Sequence, residues 1–527
     1  MNIYTPSDIE TVLEATLGPE GVGKEPYGGI DLSREDARRE FVSAVGQAVA
    51  QAVTEEKVKK HTRVAVIAGS GICGAYALSA AVALHRADIR AEVYLLNIGG
   101  DRLSPSCRRM RNLFVEVAGE EYLYETTGLQ MQLPELDRSW IVVDGLFGRE
   151  HQGALMGGYQ HLARYINESG AHVVSIDLPS GMSPDLTVGM INRNIIHAAL
   201  TLTLVGTTPS FFMRENAELV GRWRVLDVPY DQEALKSVRC RARLIEGHNI
   251  RKILPERDAF ASKADLGSLV IFAGSYGMLG AAVLSTRAAL RSGCGKVTCF
   301  TPRCGFFVIQ TSVPSALFQT DGSDVSLQAM ELNHPYSAIA VGPGIGTADC
   351  TIDALETLLK QAGAASRPMV LDADALNCIA LRPTMMDHVP AMSILTPHEG
   401  EFDRLFGPQP SGSARLLKAI EVATTHAVIL VLKGRYTATV WPDGSVLFNS
   451  SGTPALATAG SGDVLTGLIG GLMARGLTPE LAAVAGVYIH GVAGGLAAAT
   501  HGIDGTTAED IAMQIGPAIE TITHPTK

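Results

Sequence analysis

From Lys263 onward the chain repeats one pattern: a short, almost unbroken apolar run, a loop rich in glycine or acid, then a stretch with helical spacing. The runs are Leu266–Ala273, Gly295–Phe300, Ala338–Val341, Pro368–Leu371, Ser393–Leu395 and Ala427–Leu432. A strand that is apolar at consecutive positions has both faces covered, so these runs predict a parallel sheet with helices on both sides. The polar residues gather where the runs end: Gly274–Gly280, Gly342–Gly346, Asp372 and Asp374, Thr396–Glu401, Lys433–Thr437, and Ala459–Asp463. Open sheets of this kind bind ligands beyond the C-terminal ends of their strands. Six polar loops in step with the strands therefore predict one site.

The last of these loops is the most informative. Gly460, Ser461, Gly462 and Asp463 are followed by Val464, Leu465, Leu468, Ile469, Leu472 and Met473, which is helical spacing. Glycines let a backbone turn tightly and approach a ligand. The following helix aims its first N–H groups and the positive end of its dipole at the same spot. Gly460, Ser461 and Gly462 thus offer backbone donors to an anion. Asp463 stands at the lip, placed to take a proton from a hydroxyl held near a phosphate, or to cap the helix as Asp often does. Lys433, Gly434, Arg435, Tyr436 and Thr437 put a cation and a hydroxyl after a strand, suited to the phosphates and ribose of a nucleotide. His398 could orient a substrate or simply end its strand. Asp372 and Asp374 could organise a metal or water network or cap their loop.

The first half shows a related layout. An expected helix over Ser33–Thr54 precedes the strand Arg63–Ala68, a Gly69-Ser70-Gly71 turn and a helix over Ala75–His85. Two later strands end in carboxylates, Asp144 before Gly145-Leu146-Phe147-Gly148 and Asp177 before Leu178-Pro179-Ser180-Gly181. Strand, glycine turn and helix in this order predict a doubly wound, Rossmann-like three-layer αβα domain. With 527 residues, more than one core is expected. The division reads as 1–228, a linker at 229–245, and 246–527, with the second domain αβα around a mostly parallel sheet.

Composition narrows the partners. The net charge is −11 with no basic block, which argues against nucleic acid, because binding phosphates needs clustered Lys and Arg. The most membrane-like window, Ala482–Thr500, is made of small residues around His490, so a packed interior helix is expected rather than a membrane partner. The N-terminal residues lack a signal-peptide pattern, and the cysteines form no CxxC pair, as in a cytoplasmic chain with reduced thiols.

Two resemblances follow from these motifs. The first half is similar to the NAD(P)HX epimerase domain of the bifunctional NAD(P)H-hydrate repair proteins, through Asp144–Gly148 and Asp177–Gly181. The resemblance implies that Asp177 binds substrate and transfers the proton, and that Asp144 and Ser180 help hold K+. The departures are concrete. The family's Gly-Asn-Asn-Gly-Gly-Asp-Gly is here Gly71-Ile72-Cys73-Gly74-Ala75-Tyr76-Ala77, and its Gly-Thr-Gly-Leu is Gly148-Arg149-Glu150-His151. Ile72 offers a cation no side-chain oxygen, so the epimerase is expected to be lost or altered, with the domain retained for packing or oligomerisation.

The second half resembles the ADP- or ATP-dependent NAD(P)HX dehydratases of the ribokinase-like superfamily. Six ordered motifs carry this: Gly280–Ala282, Gly342–Gly346, Asp372–Leu376, Thr396–Glu401, Val431–Gly434 and Gly460–Asp463. The resemblance implies that Asp463 deprotonates the hydroxyl of NADHX or NADPHX, which takes a phosphoryl group from ADP or ATP with Mg2+ and then loses phosphate. Ala281, Gly344 and His398 would contact the hydrate, and Lys433–Thr437 with Gly462 the adenine nucleotide. A homo-oligomer is expected. Two other readings remain: a ribokinase-like kinase for a vitamin precursor such as hydroxymethylpyrimidine or hydroxyethylthiazole, and an N-terminal domain serving only for binding or assembly.

Overall fold

The computed structural model describes residues 1–18, 32–57, 63–100, 102–128, 131, 133–151, 153–186, 194–238, 240–332 and 334–525. The chain forms two compact units, Asn2–Cys240 and Arg241–Lys527. The segment 229–245 carries a short helix, Gln232–Ser237, and the first strand of the second unit's sheet.

In the first unit seven strands form one sheet: β1 (Arg63–Ala68), β2 (Ala91–Leu96), β3 (Leu123–Thr126), β4 (Trp140–Gly145), β5 (His172–Ile176), β6 (Leu200–Thr203) and β7 (Arg222–Val225). Their order is β3-β2-β1-β4-β5-β6-β7, and every pairing is parallel. The order reverses beside β1, so a crevice is expected between the C-terminal ends of β1 and β4. Helix α1 (Leu32–Lys57) buries Phe41, Val45, Val49 and Val53 at helical spacing against α2 (Ile72–Arg86). Gly46 lies so near Ser79 of α2 that a Cβ there would overlap its hydroxyl. Helix α2 begins at Ile72, three residues before the expected Ala75, because the turn at Gly71 leads straight into it.

In the second unit the strands are β8 (Ala242–Ile245), β9 (Ser268–Phe272), β10 (Lys296–Phe300), β11 (Leu317–Gln319), β12 (Ala338–Val341), β13 (Val370–Leu371), β14 (Ile394–Leu395), β15 (Ile429–Leu432), β16 (Ala438–Val440) and β17 (Val446–Asn449). They run β8-β17-β16-β15-β14-β13-β12-β9-β10-β11 across the sheet. All neighbours from β15 to β11 are parallel, as are β8 and β17, and among the described residues only the pairings of β16 with β15 and β17 are antiparallel. The mostly parallel sheet read from the apolar runs is thus present. The core strands are buried along almost their whole length, since helices cover both faces.

Three helices set up the site: α3 (Leu279–Arg291), α4 (Ser461–Ala474) and α5 (Pro479–His501). Helix α5 is long and apolar enough to cross a membrane, yet two thirds of its most apolar window is buried inside the unit. Helices α3 and α4 pack closely because α4 carries glycine at the contact. A Cβ at Gly467 would lie 1.9 Å from the Ser285 carbonyl, and one at Gly471 would lie 2.1 Å from the Ser292 hydroxyl. Backbone cannot yield as a flexible side chain can. Gly467→Ala is therefore expected to destabilise the second unit by about 3 kcal/mol despite alanine's better helix propensity, as read by urea unfolding.

Candidate active site

Helix α4 starts at Ser461, with Gly460 as its N-cap in the left-handed region at φ 84°. Asp463 therefore sits within the first turn and is not the cap. That settles the cap alternative: the glycine turns the chain, and the carboxylate remains available. The first N–H groups of a helix have no partner within it; here Ser461 N–H donates to the Thr458 carbonyl at 3.3 Å, and Gly462 and Asp463 after it line a cavity of about 630 Å3. Its walls include Asp372, His398, Glu401, Lys433, Arg435, Thr437, Gly460, Ser461, Gly462 and Asp463, so three strand ends and one helix N-terminus converge.

A buried polar network underlies the cradle. Asp372, 1% exposed, accepts from Lys433 Nζ at 2.8 Å and from Thr466 Oγ1 at 2.6 Å. The same ammonium lies 4.0 Å from Glu401. Burial works against the charge of Lys433, but Asp372, Glu401 and Asp463 outweigh it, and its pKa rises. A Cβ at Gly462 would come 3.2 Å from Lys433 Nζ, a tight contact, so glycine lets the loop lie close over this cation. Asp374 plays a different part: its carboxylate accepts from Gly346 N–H at 2.9 Å and Asn377 Nδ2 at 3.1 Å, holding the glycine loop after β12.

Asp463 has the environment of a base tuned to neutral pH. Burial, then the neighbouring charge of Asp372, push its pKa up to about 7, with Lys433 opposing and Asp374 and Glu401 adding. A base is most effective when its pKa lies near the working pH.

His398 is the N-cap of a helix, Glu399–Phe406. Its Nδ1 accepts from the N–H groups of Gly400 at 3.0 Å and Glu401 at 3.3 Å. Nδ1 being an acceptor, the ring proton is on Nε2, 3.4 Å from Glu401. The ring is thus an oriented donor at the rim. Thr437 closes its own turn, its hydroxyl accepting from Gly434 N–H at 3.2 Å and donating to the Gly434 carbonyl at 2.9 Å. Arg435 stacks 5.0 Å over Tyr436 and bonds the Gly452 carbonyl.

Ala281 and Gly344 meet each other, a Cβ on Gly344 falling 3.1 Å from Ala281 Cβ. They and Tyr436 lie outside the residues lining the cavity. The cavity also holds groups without an assigned role in the sequence reading: Asn449, Leu456, Ala457, Val487 and His490. His490 Nε2 lies 3.3 Å from Ser461 Oγ. Burial drives the pKa of His490 down to about 4, with Lys433 adding to the effect, so it is neutral near pH 7. A histidine at the middle of an apolar helix was the available signal for it.

The first unit assembles its carboxylates differently. Asp144, fully buried, accepts from Ser180 Oγ at 2.6 Å, Ser175 Oγ at 2.8 Å, Ser180 N–H at 2.9 Å and Leu146 N–H at 3.3 Å. Burial still raises its pKa against these bonds. Asp177 takes a two-pronged bond from Arg149, Nε to Oδ2 at 2.7 Å and Nη2 to Oδ1 at 2.6 Å, with both side chains buried. Arg149 Nη1 is buried with no hydrogen-bond partner among the described residues. Glu150 accepts from Ile72 N–H at 3.1 Å, at the start of α2. Tyr76 packs edge-on against Phe41, and His151 lies tilted at 40° against Phe147.

A family model described as NAD(P)H-hydrate dehydratase matches residues 269–517, and one described as YjeF-related protein N-terminus matches residues 38–210. The chain is 33% identical over 484 residues to the bifunctional NAD(P)H-hydrate repair enzyme Nnr of Moorella thermoacetica, covering 86% of this chain and 88% of that protein. It is 31% identical to the protein of the same name from Thermofilum pendens, covering 87% of each. Among solved structures, the ADP/ATP-dependent NAD(P)H-hydrate dehydratase of Bacillus subtilis, co-crystallised with ATP and Mg2+, is 31% identical, with a TM-score of 0.45. It is matched over 53% of this chain and 98% of its own.

Removing the cation beneath the cradle exposes its structural share. Lys433→Met leaves Asp372 buried with only the Thr466 hydroxyl as partner. The cost is expected to be on the order of 3 kcal/mol, and denaturant unfolding should register it without any ligand.

Proposed function

The chain belongs to the family of bifunctional NAD(P)H-hydrate repair enzymes, and from that premise we propose how its second unit dehydrates NADHX or NADPHX. The enzyme is a lyase that restores hydrated nicotinamide cofactors in a nucleotide-dependent reaction. The observation that carries the residue assignment is Asp463 in the first turn of α4, tuned to about 7 beside the Lys433 ammonium. In this reading the nucleotide's phosphates lie on the N–H groups of Gly460–Gly462 with Lys433 alongside, and Lys433–Thr437 border the nucleotide. Asp463 takes the proton of the hydrate's hydroxyl as its oxygen attacks the terminal phosphorus of ATP or ADP. The shortened nucleotide leaves. Electrons from the ring nitrogen then expel phosphate, a ring proton is lost, and the reduced nicotinamide returns. In the same reading His398, with its proton on Nε2, would turn that donor from Glu401 to the hydrate at the rim, and Ala281 with Gly344, which lie outside the cavity lining, would touch the hydrate beyond it.

Mg2+ would neutralise charge on the phosphates being transferred. Among the described residues no three His, Cys, Asp or Glu side chains form a metal cluster. Asp372 and Asp374 are already engaged by Lys433, Thr466, Gly346 and Asn377. The residues fit an ion that arrives with the nucleotide and keeps most of its water, as Mg2+ commonly does. The vitamin-kinase reading is set aside, because the relatives matching most of the chain are hydrate repair enzymes and the first unit has its own family match.

Recovery of the reduced-nicotinamide absorbance from the S hydrate, with ADP, with ATP and with neither, tests the activity. Recovery without nucleotide at the same rate would overturn the phosphoryl-transfer route. Asp463→Asn is expected to lose at least about a thousandfold in kcat while still binding nucleotide by calorimetry. A variant near the native rate would remove Asp463 from the role of base.

The pH dependence has a definite sign. A base with a pKa of about 7 must be deprotonated to act, so kcat/KM should fall roughly tenfold per unit below pH 7 and level off above it. Stability moves the other way. Because the folded-state value is raised from 3.8, Asp463 contributes stability at low pH that is lost as pH rises through about 7. Asp463→Asn should therefore melt no lower than the native enzyme at pH 8, which scanning calorimetry can check.

A further inference from the structure

The buried carboxylates of the first unit are already provided for by the chain itself. A carboxylate offers about four lone-pair sites, and Asp144 accepts four hydrogen bonds, from Ser180 Oγ, Ser180 N–H, Ser175 Oγ and Leu146 N–H. Ser180 donates its hydroxyl proton to Asp144, and its oxygen also accepts from Phe147 N–H at 3.2 Å. A potassium ion binds oxygen lone pairs, and those of Asp144 and Ser180 are largely spent on protein donors. These residues do not fit the potassium site that the epimerase resemblance implies.

The positive charge in this pocket is a side chain instead. Arg149 is buried and grips both oxygens of Asp177 at 2.6 and 2.7 Å. A planar guanidinium matches a carboxylate in this two-pronged way, and such pairs are among the strongest hydrogen-bonded contacts. A second cation close by would meet a like charge in a poorly screened interior. Glu150, the next residue, occupies the opening of α2: its Oε1 accepts from Ile72 N–H, and a Cβ added to Gly71 would lie 2.2 Å from its Oε2. The loop Gly148–His151 therefore places its own cation on Asp177 and its own anion at the helix N-terminus.

We propose that Arg149 is the resident cation of the first unit: it takes the place that the resemblance gives to potassium and holds Asp177 as a structural partner instead of a proton-transfer group. The consequence is specific. The enzyme dehydrates the S hydrate and leaves the R hydrate, and its first unit neither needs nor responds to potassium. The substrate part of this inference rests on the repair function above, whereas the salt part stands on the pocket alone.

The test uses the full chain in two measurements. Thermal unfolding is recorded in KCl, NaCl and choline chloride at equal ionic strength, and purified R hydrate is followed for conversion to S in KCl. The expected results are one melting temperature in all three salts and conversion no faster than in buffer. Arg149→Met strands Asp177 without its partner and should melt roughly 5–10 °C lower, whereas Arg149→Lys, which keeps the charge, should recover part of that loss. Stabilisation of the native enzyme by potassium alone would overturn the proposal. So would potassium-dependent conversion of the R hydrate, or an Arg149→Met variant as stable as the native chain. Nucleotide-dependent recovery of the S hydrate is run alongside: its absence would count against the repair function, and the salt comparison would still decide the role of Arg149.

Discussion

A carboxylate buried in a protein needs a partner, and the second unit is built around how Asp372 finds two. It stands at the end of β13, fully covered, between Lys433 from the end of β15 and Thr466 from α4. This ties two strand ends to the helix whose N-terminus forms the anion cradle. The ammonium is thereby held beneath Gly462, and its charge meets whatever lies on the helix N–H groups. Asp463 feels the same network from the other side: Asp372 disfavours its negative charge, and Lys433 only partly offsets this. One buried pair thus positions the cation, anchors the start of the helix and, after burial, sets the charge around Asp463.

The two units use similar parts to opposite effect. Each has a wholly or mostly parallel sheet, acids at strand ends and a helix opening onto them. In the second unit the acids face a cavity of about 630 Å3 and leave a helix N-terminus for a ligand. In the first, serine hydroxyls and backbone amides engage Asp144, Arg149 engages Asp177, and Glu150 engages the helix N-terminus. A site is defined as much by polar groups left for the substrate as by the catalytic residues themselves.

Much of this was legible along the chain. Unbroken apolar runs such as Leu269–Phe272 require cover on both faces, so the parallel sheets and the position of the polar loops followed from local pattern. Gly460–Asp463 was legible as a glycine turn into an apolar helix, although the helix begins two residues before Asp463 because Gly460 adopts the left-handed turn. His490 was visible only as an unusual residue in an apolar helix. Its contact with Ser461 joins positions 29 residues apart, and helical periodicity carries no information about such a partner.

What the sequence by itself determined was the set of strands, the ends at which their polar residues collect, and the residue types available there. Tertiary structure decided which charge meets which. Asp372 and Lys433 are 61 residues apart in the chain, Asp372 and Thr466 are 94, and Arg149 and Asp177 are 28. Every strand end repeats a similar local pattern, so sequence alone does not distinguish an acid that will be paired from one left as a base. That choice depends on ångström separations between neighbouring strands and on how much water burial removes, because both the strength of a charge pair and the cost of an unpaired charge are set there.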